Sequence, residues 1–129
     1  GYNLFLQKCA SCHKEPLFTD YSFRNNGLDE ISADDGRYLI TQLESDKGRF
    51  KVPTLRNVLL TYPYMHDGRF FTIDQVLEHY SSGVKSHTNL DPSLQNGIPL
   101  TADEKKYLKR FLETLNDYEL MSKMELSEP

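Results

Sequence analysis

Three observations predict an all-α domain built on a few helices and long irregular connections. Two stretches repeat apolar residues at helical spacing, strand-like alternation is nearly absent, and Pro and Gly cluster between the periodic segments. A length of 129 residues fits one domain, and 38% hydrophobic with 26% charged residues fits a folded chain. The 15 Lys and Arg against 19 Asp and Glu leave a formal net charge of −4. That balance argues against a nucleic-acid surface, which needs a basic face. No run approaches the roughly 20 apolar residues of a membrane span. The opening Gly1-Tyr2-Asn3-Leu4-Phe5 shows no basic leader with a long apolar run, so no signal peptide is visible in it. Apolar material is scarce: there is no Trp, and mean hydropathy is −0.60. A chain of this size should still bury about two-thirds of its unfolded surface, so something other than side chains is expected to fill the middle.

The elements follow in order. An amphipathic helix is expected over 2–12. Residues 14–35 read as irregular, with Pro16, Asn25-Asn26-Gly27 and Asp34-Asp35-Gly36 as turn signals. A helical turn is expected at about 36–43, and Pro53 is suited to a first helical position. The stretch 61–69, with Pro63 and Gly68, reads as loop. Thr72 is an N-cap candidate for a helix over 72–82, whose apolar face is Ile73, Val76, Leu77 and Tyr80. Residues 84–100, with Pro92, Gly97 and Pro99, form a loop long enough to suggest a functional or ligand-packed segment. Thr101 through Glu104 is a capping box opening a helix over 101–115, with Tyr107, Leu108, Phe111, Leu112 and Leu115 on one face. The domain is expected over 1–117, followed by a polar tail over 118–129.

Only two cysteines occur, in Cys9-Ala10-Ser11-Cys12-His13. Cys-x-x-Cys-His is the attachment pattern of a c-type haem. Two thiols at this spacing reach both vinyl groups of one porphyrin, and the following His lies beneath the iron as its proximal ligand. Zinc binding would need further Cys or paired His ligands, yet there is no third Cys, and His66, His79 and His87 lack the close pairing. A thioredoxin-like pair would follow a strand, and a chance match is the remaining alternative. The fold expected is therefore a cytochrome c-like helical domain wrapped around one covalent haem, with long loops. Thioether formation is completed outside the cytoplasm in bacteria, so a periplasmic location is expected, with any leader removed or the chain beginning inside a longer protein.

The sixth iron position has several candidates: Met65, His66, His79, Tyr80, His87, Met121 and Met124. Met121 and Met124 fall in the polar tail, and His87 reads as a solvated loop residue. Met65 and His66 sit in an aromatic turn, where a Met is more often a packing residue. Tyr80 continues the apolar stripe and His79 is turned about 100° from it. A tyrosine ending such a stripe is usually a core residue with its hydroxyl tied, so pattern alone leaves the ligand open.

Residues 47–70, Lys-Gly-Arg-Phe-Lys-Val-Pro-Thr-Leu-Arg-Asn-Val-Leu-Leu-Thr-Tyr-Pro-Tyr-Met-His-Asp-Gly-Arg-Phe, resemble the signature of the C-terminal haem domain of bacterial di-haem cytochrome c peroxidases and MauG-like enzymes. Cys9 through His13, the Leu17-Phe18-Thr19-Asp20 that follows, and the Leu100-Thr101 opening of the last helix extend the likeness over about 3–117. In the peroxidases the distal ligand is a Met fourteen residues beyond the His of Pro-Tyr-x-His, and here that position is Tyr80. MauG-like members carry Tyr there, so the resemblance favours Tyr80. It also implies that the carbonyls of Thr61 and Pro63 help hold a calcium ion between two domains. Arg56, His66 and Arg69 become candidate partners of haem propionates, against a plainer reading as loop-stabilising residues.

The resemblance implies an oxidoreductase that reduces hydrogen peroxide at a second, peroxidatic haem in an N-terminal domain, with this domain passing electrons to or from it. A small redox donor protein and a homodimer are implied as partners. One Cys-x-x-Cys-His in one domain reads as half of such an enzyme, not catalytically complete alone. The alternatives are a free-standing monohaem electron carrier and, further off, a haem-free binding module.

Overall fold

The computed structural model describes residues 1–123. Met124, weighed above as an iron ligand, and the end of the expected tail lie outside the described residues. Helix α1 spans Tyr2–Lys8 and is shorter than the sequence predicts. It stops because Cys9 leaves helical geometry (φ −125°), and the cysteine motif turns back on itself, the His13 amide donating to the Cys9 carbonyl at 3.0 Å. Helix α2, Tyr38–Thr41, is one turn, inside the expected 36–43.

The chain is mainly helix and loop, but it is not wholly α. Strand β1, Phe23–Arg24, pairs antiparallel with β2, Phe50–Lys51, placing Phe23 opposite Lys51 and Arg24 opposite Phe50. The cause is local. A proline pushes the residue before it into extended geometry, and the Val52 amide, ahead of Pro53, donates to the Ser22 carbonyl at 2.8 Å. Pro53 thus leads out of a strand and does not begin a helix.

Helix α3, Ile73–Glu78, opens where the sequence predicts. The Gln75 amide donates to the Thr72 hydroxyl, and the Gln75 side chain accepts from the Thr72 amide. It does not run on to 82 as a regular helix. Residues His79–Gly83 form a wider π turn, a feature often found at functional sites. Helix α4, Ala102–Glu113, carries the second capping box, between Thr101 and Glu104. Helix α5, Tyr118–Met121, is a single turn capped by Asp117 within the stretch read as tail.

Phe5 of α1, Leu77 of α3, Leu108 of α4 and Phe18 form the buried cluster, with Leu4, Cys9, Ala10, Leu55, Phe111 and Leu115 packed around it. Phe5 stacks obliquely on Phe111 at 4.8 Å and meets Phe18 edge-on at 5.5 Å. The approach of α1 to α4 is close enough that a Cβ on Gly1 would collide with the Tyr107 carbonyl and Phe111. Of the predicted α4 face, Leu108 and Leu112 are buried while Tyr107 stays exposed. Lys105 with Glu78 and Lys109 with Asp74, each at 2.6 Å, tie α4 to α3 at the surface.

Candidate functional site

The cysteine motif is held between the end of α1 and a turn that needs two left-handed non-glycine residues, Phe18 (φ 53°) and Tyr21 (φ 58°). Such geometry costs of order 1–3 kcal/mol per residue and persists where the surroundings enforce it. Here the enforcement comes from Thr19, which is buried. Its hydroxyl donates to the Val52 carbonyl at 2.7 Å and accepts from the Tyr21 amide at 3.0 Å. The Asp20 amide closes the loop on the Cys12 carbonyl at 2.9 Å.

Cys9 and Cys12 are both free thiols and half-buried. Burial, with the neighbouring Cys12 adding to it and Lys8 opposing, pushes the Cys9 thiol up to about 11. A thiol held protonated is a poor thiolate nucleophile or zinc ligand, whereas addition to a vinyl group leaves a neutral thioether. His13 is half-buried and burial lowers its pKa, partly opposed by the Phe18 and Pro53 carbonyls against it. Its Nδ1 donates to the Phe18 carbonyl at 3.1 Å, since a carbonyl only accepts. In the neutral ring that leaves Nε2 with a free lone pair, the arrangement of a metal-ligating His oriented by its other nitrogen.

Opposite this motif in sequence, the π turn brings up Tyr80, a half-buried residue whose hydroxyl environment is dry. Burial raises its pKa, a hydrogen bond from Asn26 lowers it, and the Cys12 and Cys9 thiols lie near enough for their charge to matter. Asn26 Nδ2 reaches the Met65 sulfur at 3.3 Å and, in a long contact, the Tyr80 hydroxyl at 3.5 Å. His79 behaves otherwise than its helical phase predicts. It is buried, because the widened turn carries it inward, where Phe70 and Tyr80 flank it. Its Nε2 donates to the Asn26 carbonyl at 3.0 Å, so that nitrogen is committed.

The remaining sequence candidates scatter. His66 is exposed and stacks on Phe50 with ring centres 3.6 Å apart. His87 is half-buried and fastened, its Nδ1 accepting from the Asn89 amide and its Nε2 facing Ser32. Met121 is exposed on α5. Arg56 donates twice to the Pro16 carbonyl, at 2.7 and 3.1 Å. Arg69 is held by Asp29 and Asp67, each at 2.6 Å. Thr61 and Pro63 sit in an exposed stretch either side of Tyr62, with no hydrogen bond to either carbonyl among the described residues.

Two residues escaped sequence reasoning. Arg49 has a buried Nε without a partner, and it lines a cleft with Ser22, Arg24, Asn25 and Asn89. Nothing in Gly48-Arg49-Phe50 distinguishes it from a surface arginine. Asn26 is the other; the Asn-Asn-Gly run gave a turn signal only. Two half-buried thiols at vinyl-bridging spacing, a His with Nδ1 committed and Nε2 free, a dry phenol and a buried unpartnered guanidinium nitrogen together fit a c-type haem with its carboxylates.

No family model matches the chain. Among curated proteins it is 31% identical over 146 residues to the cytochrome-c peroxidase IdrP2 of Denitromonas iodatirespirans, covering 90% of this chain and 38% of that protein. It is 35% identical over 119 residues to the methylamine utilization protein MauG of Methylorubrum extorquens, covering 89% and 33%. Among solved structures, a MauG-like protein associated with microbial copper homeostasis superposes with a TM-score of 0.88 at 30% identity, over 99% of this chain and 49% of that one. The chain thus spans about a third of the curated relatives' length, and it matches their C-terminal portions. It belongs to the bacterial cytochrome c peroxidase and MauG family and corresponds to the C-terminal haem domain of those proteins.

Proposed function

We propose that residues 1–117 bind one haem c through Cys9 and Cys12, with His13 and Tyr80 as the residues that would hold its iron. In this reading the domain relays electrons or oxidising equivalents to a second haem in an N-terminal domain of the same parent protein, where hydrogen peroxide is reduced. The observation that carries it is the Cys9-x-x-Cys12-His13 turn, in which His13 Nδ1 is committed to the Phe18 carbonyl, with the buried Tyr80 hydroxyl near both cysteines. The greater length of the relatives supports a partner domain.

A haem bound here supplies an iron that exchanges one electron at a time between ferrous and ferric states. The protein's part is to fix that iron's electronic preference. The Phe18 carbonyl holds His13 Nδ1–H and so fixes which nitrogen faces the metal. Tyr80 offers a hard anionic oxygen once its proton has left, which favours the ferric side, unlike the thioether that favours ferrous iron. Because burial disfavours the phenolate, Tyr80 would be held deprotonated only beside a cation, the charge that haem iron would supply there. Arg49, whose buried Nε lacks a partner, is the arginine assigned to the haem carboxylates; Arg24 lines the same cleft but is held by Asp20 and Asp91. Arg56 and Arg69, the sequence candidates, already serve the Pro16 carbonyl and the two aspartates. The exposed carbonyls of Thr61 and Pro63 would meet calcium only with donors from the neighbouring domain. A periplasmic location follows from the covalent haem, and a small redox protein and a second copy of the enzyme are the expected partners.

Expression of the full chain with haem-maturation machinery tests this. Absorption bands that persist after acid-acetone extraction, and that vanish in Cys9→Ala/Cys12→Ala, support covalent haem. Extractable or absent haem refutes it.

A further inference from the structure

We infer that Asn26 is a positioning residue that holds the Met65 thioether aside so that the Tyr80 oxygen takes the distal iron position. The inference rests on the haem reading above and names what decides between two competing donors in it.

The two donors lie together. A single amide nitrogen, Asn26 Nδ2, stands 3.3 Å from Met65 Sδ and 3.5 Å from the Tyr80 hydroxyl. A thioether sulfur only accepts, so the amide must turn its NH2, not its carbonyl, toward Met65. The sulfur lone pair that would bind iron is thereby engaged. The same NH2 also donates to the Tyr80 hydroxyl, but at 3.5 Å that bond is at the limit of hydrogen-bonding distance and is the looser of the two. The shorter contact falls on the donor to be restrained, the longer on the donor to be released.

Asn26 is itself anchored on every side. Its carbonyl accepts from His79 Nε2 at 3.0 Å. Before it, Asn25 is buried, gives its amide to the Gly48 carbonyl at 2.9 Å and accepts the Asp91 amide at 3.0 Å. After it, the Gly27 carbonyl accepts from the Lys85 amide at 2.7 Å. Gly27 has φ +67°, and a Cβ there would lie 2.7 Å from both the Lys85 carbonyl and Val84; only glycine lets these strands of chain close so tightly. Met65 is placed by an unfavourable backbone, φ +72°, held by the Tyr64 amide donating to Phe70 and the Gly68 amide donating to the Met65 carbonyl. A left-handed methionine beside a distal tyrosine is placed by its surroundings, not by its own preference. His79 therefore has a share in the arrangement, since it fixes the backbone from which the Asn26 amide projects.

The test uses the full haem-loaded chain and reads spectra and reduction potential. In Asn26→Leu the thioether is released. A thioether-ligated spectrum is expected in the ferrous state, and the reduction potential should rise. In Asn26→Leu/Met65→Leu the potential should fall back toward that of the parent, and Met65→Leu alone should leave the parent spectra unchanged. Asn26→Gln, which keeps the amide, should restore part of the parent behaviour, and Asn26→Ser provides the shorter variant should the leucine fail to fold. Parent-like spectra and potential in Asn26→Leu or Asn26→Ser overturn the inference. So does a raised potential that persists when Met65 is also removed. Failure of the underlying reading is distinguishable, because the parent protein would then lack any tyrosine-ligated ferric spectrum.

Discussion

The helical frame and the loop lobe of this domain are held by different physics. In the frame, α1, α3 and α4 meet through Phe5, Leu77, Leu108 and the aromatic group around Phe111. In the lobe, residues 14–35, 47–70 and 84–100 carry left-handed residues, an isolated two-residue strand pair and many side-chain to backbone hydrogen bonds. Asn25, Thr19 and the Asp20–Arg24–Asp91 cluster each satisfy neighbouring chain segments. The frame is non-directional and tolerant, the lobe directional and brittle. The difference teaches where a large apolar cofactor matters most: the lobe has the least apolar packing of its own.

The widest separation should appear on removing the covalent anchor. In Cys9→Ala/Cys12→Ala, amides of 14–35 and 84–100 should lose hydrogen-exchange protection by more than tenfold, equivalent to more than about 1.4 kcal/mol. Those of α4 should keep most of theirs. Equal loss in both regions would dissolve the distinction.

Leu108, only 2% exposed, sits at the centre of the frame. Leu108→Ala should cost about 2–5 kcal/mol in chemical denaturation. Asn25→Ala in the lobe should cost about 1–3 kcal/mol by leaving the Gly48 carbonyl and Gly27 amide unpaired. If the two values are reversed, the lobe and not the frame dominates stability.

Acid should strike the lobe first. Burial raises the Asp20 pKa, but hydrogen bonds from Ser22 and Arg24 outweigh it and hold the carboxyl at about 2, against an ordinary 3.8. A depressed folded value stabilises above the unfolded value and is lost as pH falls through the folded one. Stability should therefore drop by about 1–2 kcal/mol between about pH 4 and pH 2, allowing for solvent screening. The drop should be smaller in Asp20→Asn, the remainder coming from Asp29, Asp67 and Asp91, which ion pairs and hydrogen bonds also hold low.

The smallest effects belong to the frame's surface. Thr101→Ala, which removes the N-cap of α4, should cost about 1 kcal/mol. Lys109→Ala, breaking an exposed pair with Asp74, should cost less than about 0.5 kcal/mol.

What the sequence made legible follows the same division. The Thr72 N-cap, the Thr101–Glu104 capping box, the buried Leu108 and Leu112 of the α4 stripe and the Cys9-x-x-Cys12-His13 turn are encoded within a few residues, and each is found where spacing puts it. The exceptions lie where distant segments decide. The strand pair exists because 22–24 meets 50–52, and Pro53 gave no sign of that partner. The π turn at 79–83 inverts the expected burial of His79 relative to Tyr80, because the Asn26 carbonyl, more than fifty residues earlier, draws the His79 ring inward. Arg49, whose head group also approaches Asp46, stands out only by its buried unpartnered Nε, which no sequence pattern marks. A propionate partner cannot be picked from sequence, since all arginines look alike until their neighbours are known.

The central claim is that the dry Tyr80 oxygen, with His13 opposite, ligates a covalently held haem. Resonance Raman spectroscopy of the ferric full-length chain, excited in the charge-transfer band, tests it most directly. The account predicts phenolate vibrations that shift when the tyrosines are ring-deuterated and disappear in Tyr80→Phe. A ferric spectrum without phenolate bands, or one unchanged by Tyr80→Phe, would contradict it.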